Sequence, residues 1–180
     1  MTLTAWKTIR TELILDKSPW YRVWSEDVQL PDGNIVRDFG RIETPDVAMI
    51  LAQRDDRIAF IQCYKHGPRQ VVLQLPAGYL DADEEPLAAA RRELREETGC
   101  VARHWRTLGC YHTEGNRGLG WKHLFWATGV EVVAAPDPGD LEEQVVLWLP
   151  LDEVRRRWLA GEFTNLPTTA AIGLVLAQAA

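Results

Sequence analysis

The sequence predicts an α+β fold: a mixed sheet flanked by helices, preceded by an N-terminal antiparallel β segment. Apolar runs of strand length, some alternating and some continuous, recur from Ile9 to Leu75. The stretch Pro86–Thr98 carries a helical pattern with clear start and stop signals. Strands and helices then follow one another without the regular βαβ alternation of a doubly wound fold.

Ile9–Leu15 and Tyr21–Leu30 read as strands, and Asn34–Ile42 returns after the turn signal Pro31-Asp32-Gly33-Asn34. Residues 1–45 therefore form the β segment, and 46–180 the main domain. Val47–Ala52 and Ile58–Tyr64 are short apolar strands joined by the charged turn Arg54–Arg57. Val71–Leu75 is a further strand, broken by Pro76-Ala77-Gly78. The helix Pro86–Thr98 has acidic residues before it, Pro86 at its start and Gly99 just past its end. Trp105–Tyr111, Leu124–Val133 and Val145–Leu149 read as strands, with a Pro/Gly/Asp loop over Ala134–Leu141. Leu151–Ala160 and Thr168–Ala179 read as helices.

The chain has 180 residues, enough for a sizeable single core. Its 46% hydrophobic and 26% charged content is ordinary for a globular protein. The net charge is −6, and no block of Lys and Arg offers a face for a nucleic-acid backbone. No stretch approaches a membrane span, and the start MTLTAWKTIRTEL has no apolar signal core. Cys63, Cys100 and Cys110 give an odd count, without a disulfide framework, so a reducing, cytoplasmic setting is expected. Cys63 and Cys110 lie in apolar surroundings and are expected in the core. Eight tryptophans serve either core packing or a platform for a flat base.

The chemistry concentrates in GYLDADEEPLAAARRELREETGC, residues 78–100. On a helix, Leu87, Ala90 and Leu94 fall in one stripe, the core face. Glu93, Glu96 and Glu97 form a second stripe beside it, with Glu97 closest to the apolar side. Like charges at Glu93 and Glu97 cost about 0.2–0.5 kcal/mol. The helix dipole disfavours Glu96 and Glu97 near the C-terminus by about 0.3–1 kcal/mol. Partial burial adds desolvation. A hard divalent cation removes these penalties, because carboxylate oxygens on one rigid face are what magnesium takes. The competing reading is a solvated acidic helix end.

Gly78, Glu84, Arg92, Glu93, Glu96, Glu97 and Gly99 stand at the spacing G-x5-E-x7-R-E-U-x-E-E-x-G-U, where U is a bulky apolar residue. Leu94 fills the first U, and Cys100 the last, where an aliphatic residue is usual. The sequence resembles the Nudix hydrolase family. That resemblance implies a Nudix-type α/β/α sandwich with a mixed sheet. It implies that Glu93, Glu96 and Glu97, with a backbone carbonyl near Ala77, bind Mg²⁺, for which Mn²⁺ could substitute. Arg92 would orient the glutamates and Glu84 would hold Arg92. The implied reaction is hydrolysis of a pyrophosphate bond by a metal-activated water.

The flanks are similar to the ADP-ribose and nucleotide-sugar pyrophosphatase branch. The segments Gln62-Cys63-Tyr64-Lys65 and Leu73-Gln74-Leu75-Pro76-Ala77-Gly78 carry the likeness. Lys65 stands where the branch commonly has Arg, Gln74 where it has Glu, and Gly115 where ADP-ribose-specific members have Pro. In the loop His112–His123, Arg117 and Lys122 could meet a terminal phosphate or sugar, and Trp121 could stack; an ordinary hairpin loop is the alternative. The branch implies a general base or extra metal ligand in the acidic loop, at Glu142 or Glu143. It also implies a homodimer built by the N-terminal segment, where Trp20, Tyr21 and Trp24 would hold the nucleobase. The expected partner is thus a small nucleotide derivative, not a nucleic acid or a membrane. Two other readings stay open: a Nudix hydrolase for a nucleoside triphosphate or dinucleotide, and a non-catalytic nucleotide-sugar sensor. The intact set Glu93, Glu96 and Glu97 weighs against the sensor.

Overall fold

A computed structural model describes residues 3–137, 139 and 143–178. The chain divides into two compact units. One is Met1–Asp46 with His112–Trp121, and the other is Val47–Tyr111 with Lys122–Ala180.

The first unit holds a three-stranded antiparallel sheet of β1 (Lys7–Lys17), β2 (Tyr21–Gln29) and β3 (Ile35–Glu43), in that order. The Pro31–Asn34 turn forms as its residues require: Gly33 takes φ 89°, and the Asp32 carboxylate accepts the Asn34 amide at 3.0 Å. Two buried acids in β2 are paired across to β3: Glu26 with Arg41 at 2.8 Å, and Asp27 with Arg37 at 3.2 Å. The segment 112–121 is tied to this unit by backbone. Ile42 N–H donates to the Arg117 carbonyl at 2.7 Å, and Gly120 N–H to Thr44 Oγ1 at 2.8 Å.

The second unit is built on β4 (Val47–Arg54), β5 (Arg57–Lys65), β6 (Gln70–Gln74), β7 (Ala77–Tyr79), β8 (Cys100–Tyr111), β9 (Lys122–Val132) and β10 (Gln144–Pro150). Its main order is β10-β5-β4-β9-β8, with β4 and β9 parallel and the remaining pairs antiparallel. Helices α1 (Pro86–Thr98), α2 (Leu151–Leu159) and α3 (Leu166–Leu176) cover its two faces. Successive residues of β4 point to opposite sides, as the period of two demands. Ala48, Ile50 and Ala52 pack with Ala89, Ala90 and Leu94 of α1. Met49 and Leu51 pack with Val154 of α2 and Ala171, Ile172 and Val175 of α3. Both faces of β4 are therefore buried, and its sequence is a continuous apolar run. This is the mixed-sheet sandwich between helices that was expected.

The sheet splits where the site forms. β4 and β5 pair only at Gln53↔Ile58 and Arg54↔Arg57. Beyond that hairpin they part. The freed edge of β5 takes β6, and the freed edge of β4 takes β7. Pro76, which has no N–H, bridges the two ladders and gives its carbonyl to Ile50 N–H at 2.9 Å.

Several sequence expectations need correction. Ala77–Tyr79 is a strand rather than only a break, because β4 offers it an unpaired edge. β8 begins at Cys100, well before Trp105, since its first residues pair with the end of β9. α3 runs from Leu166 and ends at Leu176, its start fixed by the Asn165 side chain accepting Thr168 N–H. Cys110 is exposed rather than in the core, because it lies near the end of β8, an outer strand of the sheet. Cys63 and Cys100 are buried, and none of the three cysteines is in a disulfide. Among the described residues, no helix is long and apolar enough to cross a membrane.

Candidate functional site

Helix α1 sets the candidate site. Pro86 preorganises its first turn, and Gly99 at φ 68° ends it in the left-handed conformation, its N–H on the Arg95 carbonyl at 2.8 Å. Ala89, Ala90 and Leu94 anchor the helix against the sheet. The neighbouring stripe, Glu93 and Glu97, is thereby turned toward the β6–β7 bridge. Glu97 is 5% exposed, and its Oε2 accepts the Ala77 N–H at 2.8 Å. The Glu93 carboxylate lies over Gly78, where an added Cβ would overlap it. Glycine at 78 is therefore a packing requirement, since only a residue without a side chain lets the carboxylate approach the loop.

Arg92 ties the cluster together. Its Nε donates to Glu84 Oε1 at 3.1 Å, and its Nη2 to Glu84 Oε2 at 2.9 Å and to the Tyr79 carbonyl at 2.9 Å. Its Nη1 contacts Glu93 and donates to Glu96 Oε2 at 3.2 Å. The Arg92 hydrogen bond holds the Glu84 carboxyl below its ordinary range, helped by the Asp81 N–H. In return Glu84, then Glu93, raise the Arg92 pKa above its usual value. One guanidinium thus faces Glu84, Glu93 and Glu96, while Glu97 leans on a backbone amide.

Among the described residues, no three His, Cys, Asp or Glu side chains are already arranged to hold a metal ion. Glu93 and Glu96 are turned to Arg92, and Glu97 to the Ala77 amide. The donor set itself fits a hard divalent cation. It offers only oxygen, on one helix face, beside a loop whose Gly78 leaves room for carboxylates. Glu96, whose side chain is 43% exposed, keeps the cluster open to solvent.

The other sequence-selected residues stand on strands, turns and loops outside α1. Within the second unit, Lys65 ends β5, and Lys122 starts β9 paired with Val47 and Tyr111. Glu143 is exposed just before β10. Glu142 lies outside the described residues. Within the first unit, Trp20 and Tyr21 are exposed at the β1–β2 turn. The Trp24 ring is covered by Arg22 and Arg41, and its Nε1 donates to Glu43 at 3.0 Å. Arg117 lies over Phe39 and donates to the Gly40 carbonyl at 3.2 Å. Trp121 meets His112 edge-on at 5.4 Å, and the two help line an open cleft with Glu43, Asp46 and Glu114.

Two participants were not legible in the sequence. The Tyr79 carbonyl holds Arg92, a role that any residue's backbone could fill. Thr168 is wholly buried, and its hydroxyl accepts the Leu75 N–H at 3.2 Å. A threonine in an apolar helix gives no signal of that contact.

The family model of the NUDIX domain matches residues 43–167. The chain is 32% identical over 168 residues to a CMP-5'-(N-acetyl-N-hydroxy-3-aminopropyl)phosphonate hydrolase of Streptomyces rubellomurinus, covering 92% of this chain and 79% of that protein. It is 33% identical over 149 residues to an ADP-ribose pyrophosphatase of Mycobacterium tuberculosis, covering 82% and 72%. The fold matches the crystal structure of an ADP compounds hydrolase with a TM-score of 0.85, across 99% of this chain and 96% of that one, at 22% identity.

Proposed function

Because this chain belongs to the Nudix family and is a Nudix hydrolase, we propose that it cuts the pyrophosphate bond of ADP-ribose or a nucleotide sugar. The products are a nucleoside monophosphate and a sugar phosphate. The observation that carries this reading is the apposition of α1 and the β6–β7 bridge, with Glu97 on Ala77 N–H and Glu93 over Gly78. The likeness to an ADP-ribose pyrophosphatase supports the substrate class.

Glu93, Glu96 and Glu97, with the Ala77 carbonyl, would hold Mg²⁺, or Mn²⁺ in its place. When bound, the cation neutralises the diphosphate and lowers the pKa of water. The protein's own residues do the rest. Arg92, fixed by Glu84 and the Tyr79 carbonyl, keeps Glu93 and Glu96 on one face of the helix. A carboxylate takes the proton from the attacking water, and we assign this to the acidic loop at Glu142 or Glu143. Water adds to one phosphorus as the bond to the bridging oxygen breaks, and the other phosphate departs with that oxygen. Lys65, Lys122 and Arg117 are proposed contacts for phosphate or sugar, and Trp20 and Tyr21 for the base. The Trp24 face is already occupied by guanidinium groups.

A homodimer and a cytoplasmic setting belong to the same proposal. Among the described residues β1 pairs only with β2, and its apolar side chains Ile9, Leu13 and Ile14 are exposed. Such an edge invites pairing with another chain. Three cysteines without a disulfide among them suit a reducing compartment.

A second reading keeps the chemistry and changes the nucleotide. The likeness to a CMP-phosphonate hydrolase favours it, as do Lys65, Gln74 and Gly115, where the branch's usual residues are replaced. Phosphate release coupled to alkaline phosphatase, from a panel of nucleotides with and without Mg²⁺, separates the two. Magnesium-dependent release from ADP-ribose or ADP- and GDP-sugars is expected. Release only from cytidine derivatives, triphosphates or dinucleotides would establish the second reading.

A further inference from the structure

The backbone from Leu75 to Ala77 crosses between two ladders, and its amides need partners there. β6 pairs with β5 only as far as Gln74, and β7 pairs with β4 only from Ala77. Pro76 has no N–H, and its carbonyl bonds Ile50. Ala77 N–H goes to Glu97. Leu75 is wholly buried and would have an unmatched N–H, a costly state, without a side chain brought from elsewhere. That side chain is Thr168, wholly buried in the first turn of α3. Its hydroxyl accepts the Leu75 N–H at 3.2 Å and points its own hydrogen at Met49 Sδ, 3.8 Å away. Met49 is the cross-strand partner of Ala77. One hydroxyl therefore touches both the bridge and the strand it lies against. Thr168 is itself fixed, because its N–H is taken by the Asn165 side chain at 3.0 Å.

We propose that Thr168 is a positioning residue for the site: through Leu75 and Met49 it fixes the Ala77–Gly78 bridge at the height where Glu93 and Glu97 meet it. The inference rests on the reading of that bridge and those glutamates as the metal-holding site. Groups that orient a metal's direct ligands typically change its affinity by about 10–100-fold when removed.

The test compares Thr168→Val, which keeps the shape and loses the hydroxyl, with Thr168→Ser, which keeps the hydroxyl. Val175→Ala, a core truncation in the same helix, is the stability control. Mn²⁺ affinity is measured by titration calorimetry without nucleotide, and the protection of the Leu75 amide by hydrogen exchange. The expected result is Mn²⁺ binding about tenfold weaker in Thr168→Val, with Leu75 protection lost. Thr168→Ser and Val175→Ala should bind Mn²⁺ as the wild type does. Unchanged affinity in Thr168→Val, or equal weakening in Val175→Ala, would overturn the proposal. So would a wild type that binds no Mn²⁺. Wild-type Mn²⁺ binding that depends on Thr168, without release from any nucleotide, would sustain the positioning role and reject the proposed activity instead.

Discussion

Arg92 and Glu84 meet through paired hydrogen bonds, at 3.1 Å and 2.9 Å, joining the loop before α1 to the middle of the helix. A bidentate pair of this kind fixes direction as well as charge. The guanidinium that grips Glu84 also reaches Glu93 and Glu96, so the loop carboxylate governs how the helix carboxylates stand. Glu84→Gln should cost about 1.5 kcal/mol of stability at neutral pH, as for a hydrogen bond to a charged group. Because the folded pKa of Glu84 lies below its usual 4.5, its contribution is complete above that value and fades as pH falls beneath it. Denaturation of wild type and variant across pH 3–7 checks the sign: the gap should be widest at pH 7 and close toward the acid end.

Glu97→Gln keeps the side-chain shape and an oxygen acceptor for Ala77 N–H, but removes the charge. The fold should survive and turnover should not. A carboxylate that handles charge or protons at the reacting centre carries about 10²–10⁴-fold in rate. Near-wild-type kcat with the variant would refute the role assigned to Glu97.

Gly78→Ala puts a Cβ into the Glu93 carboxylate. Either the bridge or the carboxylate must move. Overpacking of this kind costs about 1–3 kcal/mol, and the displaced Glu93 should cost activity as well. Melting and kcat/KM measured together test it; a fully active, equally stable Gly78→Ala would mean the close approach is not needed.

Chelation should remove activity, and Mg²⁺ should restore it. Since Glu84, Glu93 and Glu96 crowd around Arg92 and Glu97 stands on the same helix, the cation should also stabilise the fold. Binding at a hundredfold excess over Kd adds about 2.7 kcal/mol. Thermal melts in EDTA and in rising Mg²⁺ give the reading, and an unmoved Tm would contradict the site.

Leu94→Ala tests the other face of the same helix. Leu94 is wholly buried against the sheet. Loss of its side chain should cost about 2–5 kcal/mol, visible as a lowered denaturation midpoint.

The sequence by itself determined the local pieces. Pro86 and Gly99 bound the helix, and the 3.6-residue period put Leu94 on one stripe and Glu93 and Glu97 on the next. Each of these depends on neighbours within a turn or two, so they could be read without knowing the fold. The spacing from Gly78 to Cys100 likewise identified the family. What only the tertiary structure decided involves partners far apart in the chain. Ala77–Tyr79 becomes a strand because β4 leaves an edge free, Cys110 lies outside because β8 is an outer strand, and Thr168 reaches Leu75 across 93 positions. Local propensity carries no information about an amide orphaned between two ladders. That need arises only when the sheet splits, and the fold meets it with a hydroxyl from its last helix.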